Sequence, residues 1–320
     1  MILHYKIDNS NLVYYPVLLN WLIERNASCI EKCIYNNYIN KEFLERVNES
    51  INDILSTNST EYILLDFSLV AHCEPRSFIS YLDAFEKGTL IFYNINDEIF
   101  RFINTDLRSI NHLVKYNGQV ISNINGFTYF NNNNDIIKSA PLQIIRKILK
   151  CCINSDNNEY YFPSSNIYGN KYINVKNVFY NPEMYYLIIF QIAKRIETCN
   201  FRDADKLLCA SYNGAVLSTL VGQLLNKEVL YIMKLGPNIS FKDRELINKI
   251  ESDKKYLFIG DMYCLGTEYK SAETLIKLHN ASLIGGIVVA KYTLKKDNKN
   301  ITSLVEIKKG DDYKYILKIK

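Results

Sequence analysis

The chain has 320 residues, with 38 lysines and arginines against 34 aspartates and glutamates and a formal net charge of +4; so small and evenly spread an excess does not make the basic footprint of a nucleic-acid binder. A composition of 48% hydrophobic and 22% charged residues excludes the disordered and fibrous classes, and the length corresponds to about two domains. No apolar run approaches the roughly 18 residues of a membrane-spanning helix, and the opening MILHYKIDNS lacks the apolar stretch of a secretory signal, so a cytoplasmic protein with no membrane partner is expected.

Residues 41–55 place Phe43, Leu44, Val47, Ile51, Ile54 and Leu55 on one helical face, and the polar stretch 56–60 ends it. Residues 62–67 read as a buried strand, a loop from Cys73 to Ser77 leads into a second helix over 78–85 closed by Gly88, and 89–93 is another strand. Asn96 or Asp97 then caps a helix reaching about residue 103. This order describes any small βαβ unit. With Asp66-Phe67-Ser68 ending a strand and Arg76-Ser77-Phe78 opening a helix, it also resembles a STAS-like domain, the fold of anti-sigma-factor antagonists. The resemblance implies an interaction or ligand-sensing module over 1–108, and with it a protein partner. It places Ser77 near the family's phosphorylatable position; a plain helix cap accounts for Ser77 equally. Residues 109–138 read as a boundary region, Asn-rich with Asn131 to Asn134 in a row, and a hairpin is expected over 118–129.

The second half, 139–320, is more regular. Ser139 and Pro141 open a helix with Ile144, Ile145, Ile148 and Leu149 on one face, and Asn181 with Pro182 opens a long helix over 183–196. Strands over 206–210, 228–234, 256–260 and 282–289 alternate with helices over 215–225 and 267–279. That alternation predicts an α/β fold with a mostly parallel sheet, flanked by helices, whose ligand lies in the loops beyond the strand ends at Ala210, Ile232 and Gly260.

Common catalytic signatures are absent: the sequence has no HExxH, GxSxG, GxxxxGK or GxGxxG. The eight cysteines form no pair of CxxC knuckles, so neither structural zinc nor a disulfide framework is expected. His279 ends a helix, where its charge is favourable, and Trp21 lies in an apolar stretch and reads as core. The stretch Tyr256 to Ala272 carries the strongest chemistry. A buried strand reaches Asp261 and turns through Gly266-Thr267 into a helix, so that backbone N–H groups and the positive helix end converge as a phosphate requires. An ordinary βα connection has the same outline.

These residues resemble the type I phosphoribosyltransferases, most of all the orotate enzymes. Asp261 falls on the second of the family's two acidic positions, and Gly266-Thr267 on its loop glycine and successor. Phe162 to Tyr172, followed by Asn181-Pro182-Glu183, resembles the segment that leads into the family's first core helix. Ser211-Tyr212-Asn213-Gly214 matches the pyrophosphate loop, and Lys234 the lysine of an Arg-Lys pair. The resemblance implies a phosphoribosyltransferase-type (Rossmann-like) domain that binds phosphoribosyl pyrophosphate or a nucleotide. Phosphate would lie on the backbone of Cys264, Leu265, Gly266, Thr267 and Glu268, ribose at Asp261, and pyrophosphate carrying Mg2+ near Ser211 to Gly214 and Lys234. Gly236-Pro237 begins a segment in the place of the family's mobile loop, where Lys242 or Arg244 would supply a cation, unless the segment is a solvated helix start balanced by Asp243 and Glu245. A homodimer is also implied.

The departures are specific. Gly260 stands at the first acidic position, Met233 at the arginine, Cys264 and Leu265 at the loop threonines, and Asn213 at a loop glycine. Loss of a carboxylate and a guanidinium removes charges from both sides of the displacement, each worth about 2–4 kcal/mol at a preorganised site. Three functions remain open: transfer of ribose 5-phosphate to or from a base, a catalytically degenerate sensor of nucleotide that signals through the N-terminal domain, and a structural module closed by Tyr263 and Leu265. Cys264, at a helix start, is either a reactive thiol or a buried filler of a threonine's space.

Overall fold

The computed structural model describes residues 5–6, 12–17, 38–39, 45, 49, 52–53, 56, 62–70, 72–73, 89–97, 101, 113–116, 119–122, 143–145, 149–150, 152–154, 160–162, 167–169, 172–232, 249–293, 300–309 and 315–319. The chain divides into two units, Met1–Ile144 and Ile145–Lys320. Among the described residues no helix is long and apolar enough to cross a membrane.

The strands of the first unit are β1 (Tyr5–Lys6), β2 (Leu12–Pro16), β3 (Tyr38–Ile39), β4 (Tyr62–Asp66), β5 (His72–Cys73), β6 (Thr89–Tyr93), β7 (Leu113–Tyr116) and β8 (Gln119–Ser122). Six form one sheet in the order β1-β2-β4-β6-β7-β8, while β3 and β5 pair separately. Strands β2, β4, β6 and β7 run parallel, with β1 and β8 antiparallel at the edges. Val13 to Tyr15, Ile63 to Leu65, Ile91 and Phe92 are buried without alternation, as befits parallel strands covered on both faces. Glu45, Glu49, Asn52, Asp53 and Ser56 are helical and exposed, the polar stripe opposite the predicted apolar face. An antiparallel pair, β7 with β8, overlaps the start of the expected hairpin, whose residues 123–129 lie outside the described residues. Tyr116 pairs with Gln119, leaving Asn117-Gly118 between them, the dipeptide that two-residue hairpins favour. The predicted helix over 78–85, with Arg76 and Ser77, lies outside the described residues.

Asp66 ends β4 fully buried, and its carboxylate accepts from the Tyr14 hydroxyl (2.8 Å), the Ser68 amide (3.1 Å), the Ser68 hydroxyl (2.5 Å) and the Asn94 side-chain amide (3.1 Å). Asn94 also donates to Ser68 Oγ (2.9 Å). A buried charge is tolerated only with such saturation. In the fold, then, Asp66-Phe67-Ser68 ties three neighbouring strand ends together.

In the second unit, after helical residues at 145 and 149–150, come two small antiparallel pairs, β9 (Ile153–Asn154) with β12 (Tyr172–Ile173), and β10 (Tyr160–Phe162) with β11 (Ile167–Gly169). Short helix α1 (Lys176–Phe179) precedes α2 (Pro182–Thr198), whose N-cap Asn181 accepts from the Met184 amide at 3.1 Å with proline in the first turn. Then follow β13 (Lys206–Cys209), α3 (Tyr212–Leu225), β14 (Glu228–Tyr231), β15 (Lys255–Tyr263), α4 (Thr267–Leu278), β16 (Ser282–Thr293), β17 (Ile301–Lys309) and β18 (Tyr315–Ile319). The sheet order is β14-β13-β15-β16-β17-β18, parallel except for β18.

Several predicted boundaries shift for identifiable reasons. Strand β15 runs to Tyr263, not to residue 260, because β16 pairs it through Met262↔Ala290 and Tyr263↔Lys291. Asp261 therefore sits within the strand, not at its tip. Helix α3 starts three residues earlier than expected since Ser211 caps it, accepting from the Gly214 amide at 3.1 Å. Strand β14 stops at Tyr231 instead of residue 234. Strands β17 and β18 went unpredicted.

Candidate functional site

Strand β13 connects through α3 to β14 on one side, whereas β15, its neighbour on the other side, connects through α4 to β16 in the opposite direction. The two helices also take opposite faces. A Cβ on Gly222 of α3 would lie 3.7 Å from the side chain of Leu207, while Tyr269, Ala272, Leu275 and Ile276 of α4 cluster with Leu208 and Phe258. Consecutive residues Leu207 and Leu208 point to opposite faces of a strand. The carboxyl ends of β13 and β15 thus form a topological switch point, where parallel sheets open a crevice for ligands.

From the β13 side the crevice receives Ser211, Tyr212, Asn213 and Gly214, the cap and first turn of α3. Gly214 sits in tight quarters: a Cβ there would lie 3.0 Å from both the Ile259 carbonyl oxygen and Ser211 Oγ. Tyr212 is 76% exposed, an aromatic face held in solvent immediately before Asn213. From the β15 side comes Asp261, half-buried, and Asn213 Nδ2 donates to its Oδ2 at 2.6 Å. That bond joins the two predicted subsites directly.

Gly260 has no side chain to offer, and its place is bounded. A Cβ would meet the Phe258 ring at 3.0 Å and Val288 at 3.4 Å, and Phe258 is itself fixed edge-on against Tyr269 with ring centroids 5.7 Å apart. The loop that follows is Cys264-Leu265-Gly266. Gly266 has φ +73° and is the N-cap of α4, so no side chain of its own accepts from the first turn. The Tyr263 ring lies under it, its carbon Cζ 2.6 Å from where a Cβ would stand. Tyr263 is in turn held by neighbours that sequence reasoning missed: edge-on contact with Tyr269 at 6.5 Å, and Lys291 Nζ 5.8 Å from the ring centre. Lys291 is almost wholly buried and donates to the Ile301 carbonyl at 3.0 Å. Tyr263 belongs to this packed support and lies beneath the loop, while Leu265 is 39% exposed.

Two expectations change in character. Burial pushes the Cys264 thiol up to about 11, so it is a neutral space-filling side chain at ordinary pH and not an activated nucleophile. Glu268 occupies the first turn of α4, where its charge suits the helix end itself and opposes a bound phosphate. Its charge also acts on Tyr231, the last residue of β14, whose hydroxyl is raised by burial first and then by Cys209 and Glu268. Thr267 opens α4 and is exposed. Lys234, Lys242, Met233, Arg244 and Gly236-Pro237 lie outside the described residues. Among the described residues no three His, Cys, Asp or Glu side chains gather as a metal site requires. Asp261 alone, with one oxygen engaged by Asn213, is a poor donor set for a protein-held magnesium ion.

No protein-family profile and no curated protein matches the chain. Among solved structures, adenine phosphoribosyltransferase from Saccharomyces cerevisiae is similar at 18% identity and a TM-score of 0.39, covering 50% of this chain and 97% of its own. Orotate phosphoribosyltransferase from Aeropyrum pernix is similar at 10% identity and a TM-score of 0.37, covering 47% and 80%. The UMP synthase of Leishmania donovani is similar at 11% identity and a TM-score of 0.42, covering 82% of this chain and 58% of that one.

Proposed function

We propose that the crevice between β13 and β15 binds phosphoribosyl pyrophosphate or a nucleotide and transfers ribose 5-phosphate to or from a nucleobase. The observation that carries this reading is the Asn213–Asp261 bond at the switch point, which brings a hydrogen-bonding carboxylate to the place where the sheet opens. In the proposed reaction the bond from C1 of the ribose to a pyrophosphate oxygen breaks, a base nitrogen bonds to C1 and gives up its proton to solvent, and the electron pair of the broken bond leaves with pyrophosphate. Asp261 would accept from a ribose hydroxyl and oppose the positive charge developing at C1. The α4 amides beyond Gly266 would hold the 5-phosphate, and Tyr212 offers a ring on which a base can stack. Lys234 and Lys242 are the proposed cations for the departing pyrophosphate, and magnesium enters as part of that substrate. Homodimerisation belongs to the same proposal, whereas signalling to a partner through a STAS-like first unit belongs to the sensor reading that follows.

A second reading is favoured by one specific feature. With Gly260 walled by Phe258 and Val288, Asp261 is the single acid on this stretch of β15, an arrangement that retains binding while weakening catalysis. One experiment tests both. Calorimetric titration with phosphoribosyl pyrophosphate and magnesium is combined with an assay of pyrophosphate release in the presence of orotate, uracil or adenine. Binding that Asp261→Asn abolishes, with release, is the expected result for the transferase. The same binding without release supports a sensor. No heat with any ligand rejects both.

A further inference from the structure

We infer that Tyr263 is the positioning residue of the phosphate loop, an inference that rests on the sugar-phosphate reading above. The amides proposed for the 5-phosphate follow Gly266, and they are aimed at one point only while Gly266 keeps its φ of +73°. Glycine alone does not impose that value, since it enters either half of φ with little preference. Two contacts hold it here. On the α4 side the Gly266 carbonyl accepts from the Lys270 amide at 2.9 Å. On the sheet side the Tyr263 ring fills the space beside the Gly266 Cα: a Cβ would stand 2.6 Å from Cζ and 2.7 Å from Cε2, with the hydroxyl oxygen closer still. The ring is braced in turn. Tyr263 is buried and stands in register with Lys291 of β16, whose Nζ lies 5.8 Å from the ring centre. Tyr269 of α4 meets it edge-on at 6.5 Å and meets Phe258, the ring beside Gly260, at 5.7 Å. Side chains from β15, β16 and α4 thus converge beneath one glycine. An anion that finds its donors already aimed loses less freedom on binding, so the support sets affinity for the phosphate without touching it.

Calorimetry on the full chain tests this with two ligands: ribose 5-phosphate, which needs the Gly266 loop, and magnesium pyrophosphate, assigned above to the first turn of α3. Tyr263→Leu removes the ring beneath Gly266 and is expected to weaken ribose 5-phosphate by about tenfold, while pyrophosphate stays within about twofold of wild type. Tyr263→Phe keeps the ring and is expected to hold ribose 5-phosphate within about twofold, a control that does not depend on pyrophosphate. Should Tyr263→Leu fail to fold, Lys291→Met decides in its place: ribose 5-phosphate is expected to bind at least about threefold more weakly, and an unchanged affinity overturns the inference. Ribose 5-phosphate affinity unchanged in folded Tyr263→Leu overturns the inference while leaving the sugar-phosphate site standing. Equal losses for the two ligands, or equal losses in the Phe and Leu variants, overturn the role given to the ring. Failure of ribose 5-phosphate to bind the wild type overturns the site itself, and the inference with it.

Discussion

Gly266 shows how one residue can carry both a backbone requirement and a packing requirement. Its φ of +73° lies where a side chain costs about 1 kcal/mol, and the Tyr263 ring fills the space a methyl would need. Since Tyr263 is 9% exposed and pinned against Tyr269 and Lys291, it has little room to move aside. Gly266→Ala is therefore expected to lower stability by about 2–4 kcal/mol in urea denaturation. In a Tyr263→Leu background the same change should cost only the conformational part, about 1 kcal/mol, and equal costs in both backgrounds would refute the steric account. Cys264, two positions earlier, gives a chemical test at the same scale. With its thiol pushed up to about 11 by partial burial, iodoacetamide should label it far more slowly than exposed Cys199 at pH 8, its rate climbing about tenfold per pH unit and levelling off only near pH 11. Mass mapping of the labelled peptides reads this directly, and rapid labelling of Cys264 at pH 8 would contradict its burial.

At the scale of elements, the amino ends of the strands carry a charge cluster as the carboxyl ends carry the candidate site. Lys206, at the start of β13, lies 2.5 Å from Glu228 on β14 and 2.5 Å from Glu251, with its own side chain 14% exposed and the carboxylates largely in solvent. The Glu228 hydrogen bond, then that of Glu251, raises Lys206 above its ordinary value, and Lys206 holds Glu228 below the usual carboxylate range. The signs set the window. A lowered Glu228 contributes stability above its unfolded value near pH 4.3 that is lost as pH falls, and a raised Lys206 contributes below about pH 10.4 and loses it as pH rises. Solvent screening keeps the sum to about 1 kcal/mol. Lys206→Met should thus lower the urea midpoint at pH 7 in low salt, with the difference from wild type shrinking as pH falls from about 4 towards 3. A difference unchanged at pH 3 would point to packing instead of charge.

How much of this was legible depended on the element. The run 89–93 is a β-branched threonine followed by four large hydrophobic or aromatic residues, and β6 falls on it residue for residue. Strand β17 escaped notice because the buried Ser303 and Glu306 interrupt its apolar pattern, so that a core strand reads as a mixed surface segment. Asp261 as a carboxylate at the end of a buried run could be read from the local sequence, whereas the cap made by Ser211 was not, and the helix was expected only from residue 215. The meeting of Asn213 with Asp261 could not be read either, because the two lie 48 residues apart and come together only through the order β14-β13-β15. The wall at Gly260 was hidden for a similar reason, since it depends on Val288 of the neighbouring strand.

For the whole molecule, the decisive point is that every described residue of the candidate site, from Ser211 to Thr267, belongs to the second unit. Its sheet has a buried core of its own, built by Leu207, Leu208, Tyr256 to Ile259, Ile287 to Ala290 and Val305 together with α2, α3 and α4. A unit that closes its own core folds independently. A fragment of residues 145–320 is accordingly expected to give a cooperative unfolding transition and to bind phosphoribosyl pyrophosphate with the affinity of the full chain, within about threefold. If the first unit reports on the ligand, the effect will appear in the full chain as altered amide exchange within 1–144 on ligand addition, and linkage then requires the fragment's affinity to differ from that of the whole. Equal affinities with no change in exchange would confine the function to the second unit. An affinity lost in a folded fragment would mean that the first unit supplies groups to the site, contrary to the assignment argued from β13 and β15.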